Sequence, residues 1–319
     1  MKIRRVALAA ALALPLLAGG ALAQPHALTP ASPPPLPKGV GPFEVAQYNP
    51  FTWYGRFGFT NCAFIDMGDA VLVVDTGWTK KDAENLKAQI KEKTKGKPVR
   101  WIVMTQTDID SNGGIEAFLP TDATIFVHAR AVDALSRGVL AAAEGRKSPT
   151  VVGVADRLVI SAGGRRVELL AAKKNAHSAY DLVAYCNDNG LAFVGDLVTP
   201  GRCPNLLNPV ADPVSWRETI DRIRELHPGG LVATRGEPSK IVSQELDQAQ
   251  AYLERIVRFL AEQKVKNAPE ARVAAELSLR KIGDFCPVQS DNANALALYR
   301  RMQPDGTFSV PKPPAAPRR

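Results

Sequence analysis

The sequence predicts an α/β sandwich, and three observations carry that prediction. Short, continuously apolar runs such as VLVV (71–74), WIVM (101–104) and LAFV (191–194) suit strands covered on both faces. These runs alternate with stretches of helical periodicity, the pattern of helices layered on buried strands. The region 181–198, DLVAYCNDNGLAFVGDLV, then repeats the plan of 61–77, NCAFIDMGDAVLVVDTG: strand, turn, apolar strand, and an acid beside a glycine. Two similar halves point to a pseudo-symmetric sandwich.

The elements follow in order. Met67-Gly68-Asp69 supplies the first tight turn. Thr79 and Asp82 form a capping box for a helix whose apolar stripe is Ala83, Leu86 and Ile90, stopped by Gly96 and Pro98. VRWIVMT (99–105) reads as a strand, IEAFL (115–119) as a short helix, ATIFVHA (123–129) as a strand and AVDALSRGVLAAAEG (131–145) as a helix. RLVISAGGRRVELLAA (157–172) is a hairpin turning at Gly163-Gly164. Ser215 with Glu218 suggests a second capping box, opening a helix with Trp216, Ile220, Ile223 and Leu226 inward and ended by Pro228-Gly229-Gly230. LVATRGEP (231–238) is the closing strand and loop, and 241–264, 270–280 and 292–302 read as amphipathic helices.

The ends of the chain read differently. Residues 1–23 combine Lys2, Arg4 and Arg5, an apolar run and an Ala21-Leu22-Ala23 ending, the layout of a secretory signal peptide, so a periplasmic or secreted protein is expected. Residues 24–45 form a proline-rich tether, 46–240 the main domain, 241–305 a helical extension and 306–319 a disordered tail. The formal charge of +8 falls to +5 without the leader, and its scattered lysines and arginines argue against nucleic acid as a partner. No later stretch is long and apolar enough to span a bilayer. Of four cysteines, Cys62 and Cys186 sit in apolar runs as buried free thiols; Cys203 and Cys286 lie in loops beside prolines, either bridged or not.

Polar residues accumulate where the apolar strands end: Asp75, the loop MTQTDIDSNGG (104–114), His177 in KKNAHS, Asp196 and Arg235. Strand-end loops of layered α/β proteins converge on one edge, where sites are built. Asp75 is expected to brace the adjacent loop. Trp53, Tyr54, Phe57 and Phe59 either pack on the core or line a cleft. His128 replaces no missing ligand by sequence position, and a Ser-His-Asp site using Ser111 or Ser178 lacks the GxSxG elbow.

Taken together, VLVVDTG, IVMTQTDIDSNGG, NAHS, LAFVGDLV and VATRGEP resemble, in order and spacing over about residues 46–240, the metallo-β-lactamase superfamily. The resemblance implies a four-layer αβ/βα sandwich with a C-terminal helical extension. It also implies a loop of the form T-H-x-H-x-D-H-x-G-G, followed by a histidine, an aspartate and a last histidine, which hold two metal ions for hydrolysis. This chain keeps the frame and not the ligands. Gln106, Asp108 and Ser111 stand where the loop histidines would be, and Arg235 replaces the last histidine. Asp110, His177 and Asp196 match their positions.

The resemblance thus makes Asp108, Asp110, His177 and Asp196 the candidate metal ligands and Asp110 the candidate catalytic group. Gln106, Ser111 and Arg235 are the altered positions. Oxygen donors with one imidazole favour Mn²⁺, Mg²⁺ or Fe²⁺ over Zn²⁺, and one ion over two. Arg235 is expected to pair with Asp110 in the space of the second ion, a guanidinium matching a carboxylate. Two functions stay open: a non-catalytic or strongly altered relative, without metal, that binds a small molecule or a periplasmic partner, and a one-metal hydrolase of an ester, amide or phosphoester. DNANALALYRRM (291–302) resembles the C-terminal helix of exported members linked to quinoprotein dehydrogenase systems, which would make the partner a periplasmic, quinoprotein-related one.

Overall fold

A computed structural model describes residues 43–141, 149–280 and 288–309. The expected leader, most of the tether, the end of the helix over 131–145, Cys286 and the residues after 309 lie outside them. The first sheet has seven strands in sequence order: β1 (Val45–Asn49), β2 (Thr52–Phe57), β3 (Thr60–Asp66), β4 (Val71–Val74), β5 (Val99–Val103), β6 (Thr124–His128) and β7 (Thr150–Val154). Its first four strands pair antiparallel, and β4 to β7 pair parallel. The parallel part needs crossovers, supplied by α1 (Lys80–Lys93) and by a segment holding α2 (Ile109–Asn112) and a 3-10 turn over Gly113–Phe118. The helix α3 (Val132–Arg137) lies between β6 and β7.

The second sheet has five strands: β8 (Arg157–Ala162), β9 (Arg165–Ala171), β10 (Leu182–Cys186), β11 (Leu191–Gly195) and β12 (Gly230–Ala233). All pairs are antiparallel except β11 with β12, whose crossover is α4 (Pro213–Arg224). Helices α5 (Val242–Val265), α6 (Glu270–Arg280) and α7 (Val288–Arg301) complete the chain.

The continuous apolar strands explain the layers. Alternate side chains leave opposite faces, so a strand buried on both faces must be apolar throughout. In β4, Leu72 and Val74 enter the core between the sheets, while Val71 and Val73 enter the core under α1. In β11, Leu191 and Phe193 join the inter-sheet core, while Ala192 and Val194 face α4 and α5 with Trp216, Leu246 and Tyr252. Three cores between four layers give the helix–sheet–sheet–helix sandwich. Leu253, Val273, Leu298 and Tyr299 belong to the same core as Val183 and Trp216, so the C-terminal helices share the main domain's interior.

Several local expectations change. The Thr79–Asp82 capping box is present, but α4 is capped by Asp212, whose carboxylate accepts from the N–H of Val214 and Ser215, with Pro213 opening the helix. Aspartate before proline is the stronger start signal there, and Ser215 instead donates its hydroxyl to Asn175 O at 2.6 Å. The strand β7 went unpredicted because TVVGV mixes half-exposed and exposed positions at a sheet edge. The short helix expected at IEAFL is a 3-10 helix over Gly113–Phe118. The fold reaches into the expected tether, since Phe43 N–H bonds Arg56 O at 2.9 Å and β1 starts at Val45. Residues 306–309 of the expected disordered tail are ordered, with a bridge between Met302 and Phe308. Cys62 and Cys186 are free and buried, and Cys203 is disulfide-bonded.

Asp75 joins the strand ends. It sits at a left-handed φ of 58°, where its carboxylate accepts the Thr105 N–H (2.8 Å), the Thr105 hydroxyl (2.6 Å) and the Asn112 amide (2.9 Å). Burial raises its pKa to about 6, against the pull of those donors. We expect Asp75→Ala to cost at least about 2 kcal/mol, because it orphans buried donors and leaves alanine in a strained backbone region. Asp75→Asn keeps the carbonyl oxygen and tolerates that region, so its cost at pH 7 should be well below that; urea unfolding of both variants checks the difference.

Candidate functional site

The predicted residues meet at one edge, where the strand ends of the two sheets abut. Leu182 N–H donates to Thr105 O at 2.7 Å and Thr234 N–H to Gly195 O at 2.9 Å, tying the loop after β5 to the start of β10 and the end of β11 to the residue after β12. Asn61 of β3 reaches across from the first sheet. Its N–H donates to Thr234 O at 2.7 Å and its side-chain amide to Ala233 O and Gly236 O, each at 2.8 Å. These three bonds bracket Arg235.

The Arg235 guanidinium ties two acids. Nη2 meets Asp110 Oδ2 and Nη1 meets Asp196 Oδ2 at 3.0 Å, so the pairing with Asp110 expected from the sequence is present and extends to Asp196. Asp196 is 3% exposed. Burial raises its pKa, opposed by the charge of His177 and the amide of Gln106. Gln106 Nε2 donates to Asp196 Oδ2 at 3.0 Å and to Ser111 Oγ at 2.5 Å. A carboxylate only accepts, so the amide nitrogen must face it, and Gln106 Oε1 is left buried without a partner.

His177 is almost fully buried and held on both sides. A carbonyl can only accept, so the 3.1 Å contact with Asn205 O places a proton on Nδ1. Nε2 faces Asp108 Oδ2 at 3.5 Å and Asp196 Oδ2 at 3.7 Å, and the ring edge meets Trp216. Burial pulls the imidazolium pKa down, but Asp108, Asp196 and Asp181 outweigh it and hold it up at about 9. His177 is therefore a cation at neutral pH.

Other readings fall away on geometry. Ser178 gives its hydroxyl to Asp181 at 2.7 Å, so it is not aimed at a histidine. His128 uses one ring nitrogen on Ala172 O (2.9 Å) and the other on the Arg130 N–H (3.1 Å) and does not join the cluster. Trp53, Tyr54 and Phe57 are core; Phe59 is 71% exposed, its ring centroid 5.4 Å from that of Trp78 in a tilted pair. Sequence reading placed Asn112 in the strand-end loop but missed Asn61, Asp181 and the Asn205 carbonyl. Of these only Asn61 carried a signal, as a polar residue inside a strand run.

The donor set does not fit the metal pair that the resemblance implies. Arg235 fills the gap between Asp110 and Asp196, and Gln106 presents an N–H toward Asp196. Among the described residues no group of three or more His, Cys, Asp or Glu side chains is arranged to hold a metal ion.

A helix–sheet–sheet–helix sandwich with its polar residues gathered on one strand-end edge defines the class by architecture. The chain belongs to the metallo-beta-lactamase superfamily, whose family model matches residues 55–230. Solved structures agree on the fold. A metallo-beta-lactamase from Pontibacter korlensis is 22% identical, with a TM-score of 0.56, covering 66% of this chain and 98% of that one. The stereoselective inverting sec-alkylsulfatase Pisa1 from Pseudomonas sp. is 16% identical, with a TM-score of 0.64 over 79% of this chain and 49% of its own. A metallo-beta-lactamase family protein from Thermus thermophilus is 17% identical, with a TM-score of 0.57 over 76% of this chain and 87% of its own. No curated protein matches the chain. No helix of the described residues is long and apolar enough to cross a membrane.

Two outcomes follow for the ionic cluster. A folded-state His177 pKa near 9, above the ordinary 6.5, contributes stability that is complete below about pH 6.5 and is lost as pH rises through 9. That contribution is up to about 3 kcal/mol, and unfolding free energies measured from pH 6 to 9.5 should show the decline in wild type and a flatter profile in His177→Gln. Arg235→Met should cost about 2 kcal/mol by leaving Asp196 without its guanidinium. In a double-mutant cycle, Asp110→Asn should recover part of that cost; additive losses would show that the two side chains are not coupled.

Proposed function

We propose that this chain is a metal-independent binding member of its superfamily, exported to the periplasm or secreted, whose strand-end cleft holds a small molecule or a periplasmic partner. The observation that carries this reading is the Arg235 bridge between Asp110 and Asp196. A cation fixed in the chain neutralises these acids as a divalent ion would, but it cannot activate a bound water. The rim suits a ligand with a cationic group and an apolar body. Asp108 is 38% exposed there. Exposed Ile109 lies beside Gly113, as does the backbone of Trp78, and the Trp78 ring meets Phe59 at a tilt. Export rests on the basic, apolar and small-residue segments of residues 1–23, and a quinoprotein-related partner on the resemblance of 291–302.

One observation favours the second reading, a one-metal hydrolase of an ester, amide or phosphoester. His177 has its Nδ1 on a backbone carbonyl and its Nε2 toward two carboxylates, an orientation that ligating histidines also adopt. Elemental analysis of protein expressed with its leader, then incubated with Mn²⁺, Mg²⁺, Fe²⁺ or Zn²⁺, separates the two. We expect well under one equivalent of tightly bound metal and no metal-stimulated hydrolysis across a panel of esters, amides and phosphoesters. One retained equivalent, with hydrolysis abolished in His177→Ala, overturns the binding-protein reading. Combining Gln106→His, Asp108→His, Ser111→His and Arg235→His should create zinc affinity where wild type has none.

A further inference from the structure

The helix α7 does more than fill the core. Asn294 is 3% exposed and its amide is fully used. Oδ1 accepts the Leu206 N–H at 2.9 Å, and Nδ2 donates to Pro204 O and to the Tyr252 hydroxyl, each at 2.9 Å. Pro204 and Leu206 flank Asn205, whose carbonyl holds Nδ1 of His177. At the helix end, Arg301 donates to Pro209 O and Ala211 O, each at 2.7 Å. The loop then bonds back, with Asp212 N–H on Ala176 O at 3.0 Å, beside His177. One helix thus grips the 204–211 loop at both ends, and Cys203, next to it, is disulfide-bonded.

We infer that Asn294 is a positioning residue for the site, setting the orientation of His177 through a single peptide group. The Leu206 N–H and the Asn205 C=O belong to the same planar unit and point in opposite directions. Fixing the N–H on Asn294 therefore aims the carbonyl at the imidazole. The contacts form one line: Asn294 Oδ1, the 205–206 peptide, and His177 Nδ1–H. Hydrogen bonds at the two ends of one peptide polarise each other, so each strengthens the other. The side chain of Asn205 cannot do this work, since its Oδ1 is turned to the Leu207 N–H at 3.1 Å. The bond to Pro204 O fixes the neighbouring peptide as well, leaving Asn205 little freedom. This role holds whether or not the cleft takes a ligand or a metal.

The test reads the bond itself. In full-length protein with ¹⁵N-labelled histidine, the His177 Nδ1 proton should give a downfield, slowly exchanging resonance, assigned by its loss in His177→Gln. Asn294→Ala should abolish that resonance or speed its exchange at least tenfold. Tyr299→Phe is the structural control: it removes the α7 bond to Ala268 O (2.6 Å) without touching the loop, so it should lower Tm and leave the resonance unchanged. An Asn294→Ala protein with an unaltered resonance, or equal loss in Tyr299→Phe, overturns the assignment. Should Asn294→Ala fail to fold, exchange in wild type decides. The Leu206 amide and the His177 Nδ1 proton should become exposed with the same urea dependence, and an imidazole proton that exchanges freely while Leu206 stays protected sinks the relay.

Discussion

Asp196, buried beside the partly exposed Asp108 and Asp110, is costly to keep ionised without cations next to it. Arg235 and His177 meet that demand from opposite sides, and the rest of the edge is arranged to hold them there. Asn61 fixes the backbone around Arg235 from the first sheet. Asp75, also from the first sheet, fixes the loop that carries Gln106 and Asp110. The ionic cluster is therefore a junction between the two sheets as well as a candidate binding site. Asn61, Asp75 and the Asn205 carbonyl hold the segments that carry the charged side chains.

The fold was legible because burial on both faces forces continuous apolar strands, which leave a strong trace in VLVV and LAFV. Tight turns at Gly68, Gly163 and Gly190 all take left-handed backbone, and their glycines marked the hairpins in advance. The cluster was legible too, since strand ends of such a sandwich gather on one edge. What stayed hidden was the support. Asn205 acts through its carbonyl, which any residue possesses, and Asn294 acts from a helix 90 residues after the loop segment it grips, a separation no local pattern records. The cap of α4 was misassigned because two acceptable caps lie three residues apart, and only the fold shows that Ser215 is engaged with Asn175.

Superfamily membership fixes the frame and leaves the chemistry to the residues placed on it. In this chain the frame survives in the glycines of SNGG. A side chain at Gly113 or Gly114 would collide with the backbone of Trp78 and Thr76, so the loop needs both glycines to lie against the preceding turn. Those glycines serve the architecture and are indifferent to what Gln106, Asp108 and Ser111 bind. A loop can thus keep its shape while the residues at its ligand positions change identity.

The two free thiols give the layered cores a further meaning. Cys62 is buried under α1 and Cys186 between the sheets, in separate cores on different strands. Burial raises the pKa of both, so neither is a ready thiolate. In an oxidising compartment their protection is the packing itself. A chain that folds before it is oxidised keeps both thiols reduced, with Cys203 engaged elsewhere. A chain oxidised first can join Cys62 to Cys186, and that bond would link two side chains the native sandwich buries in different cores.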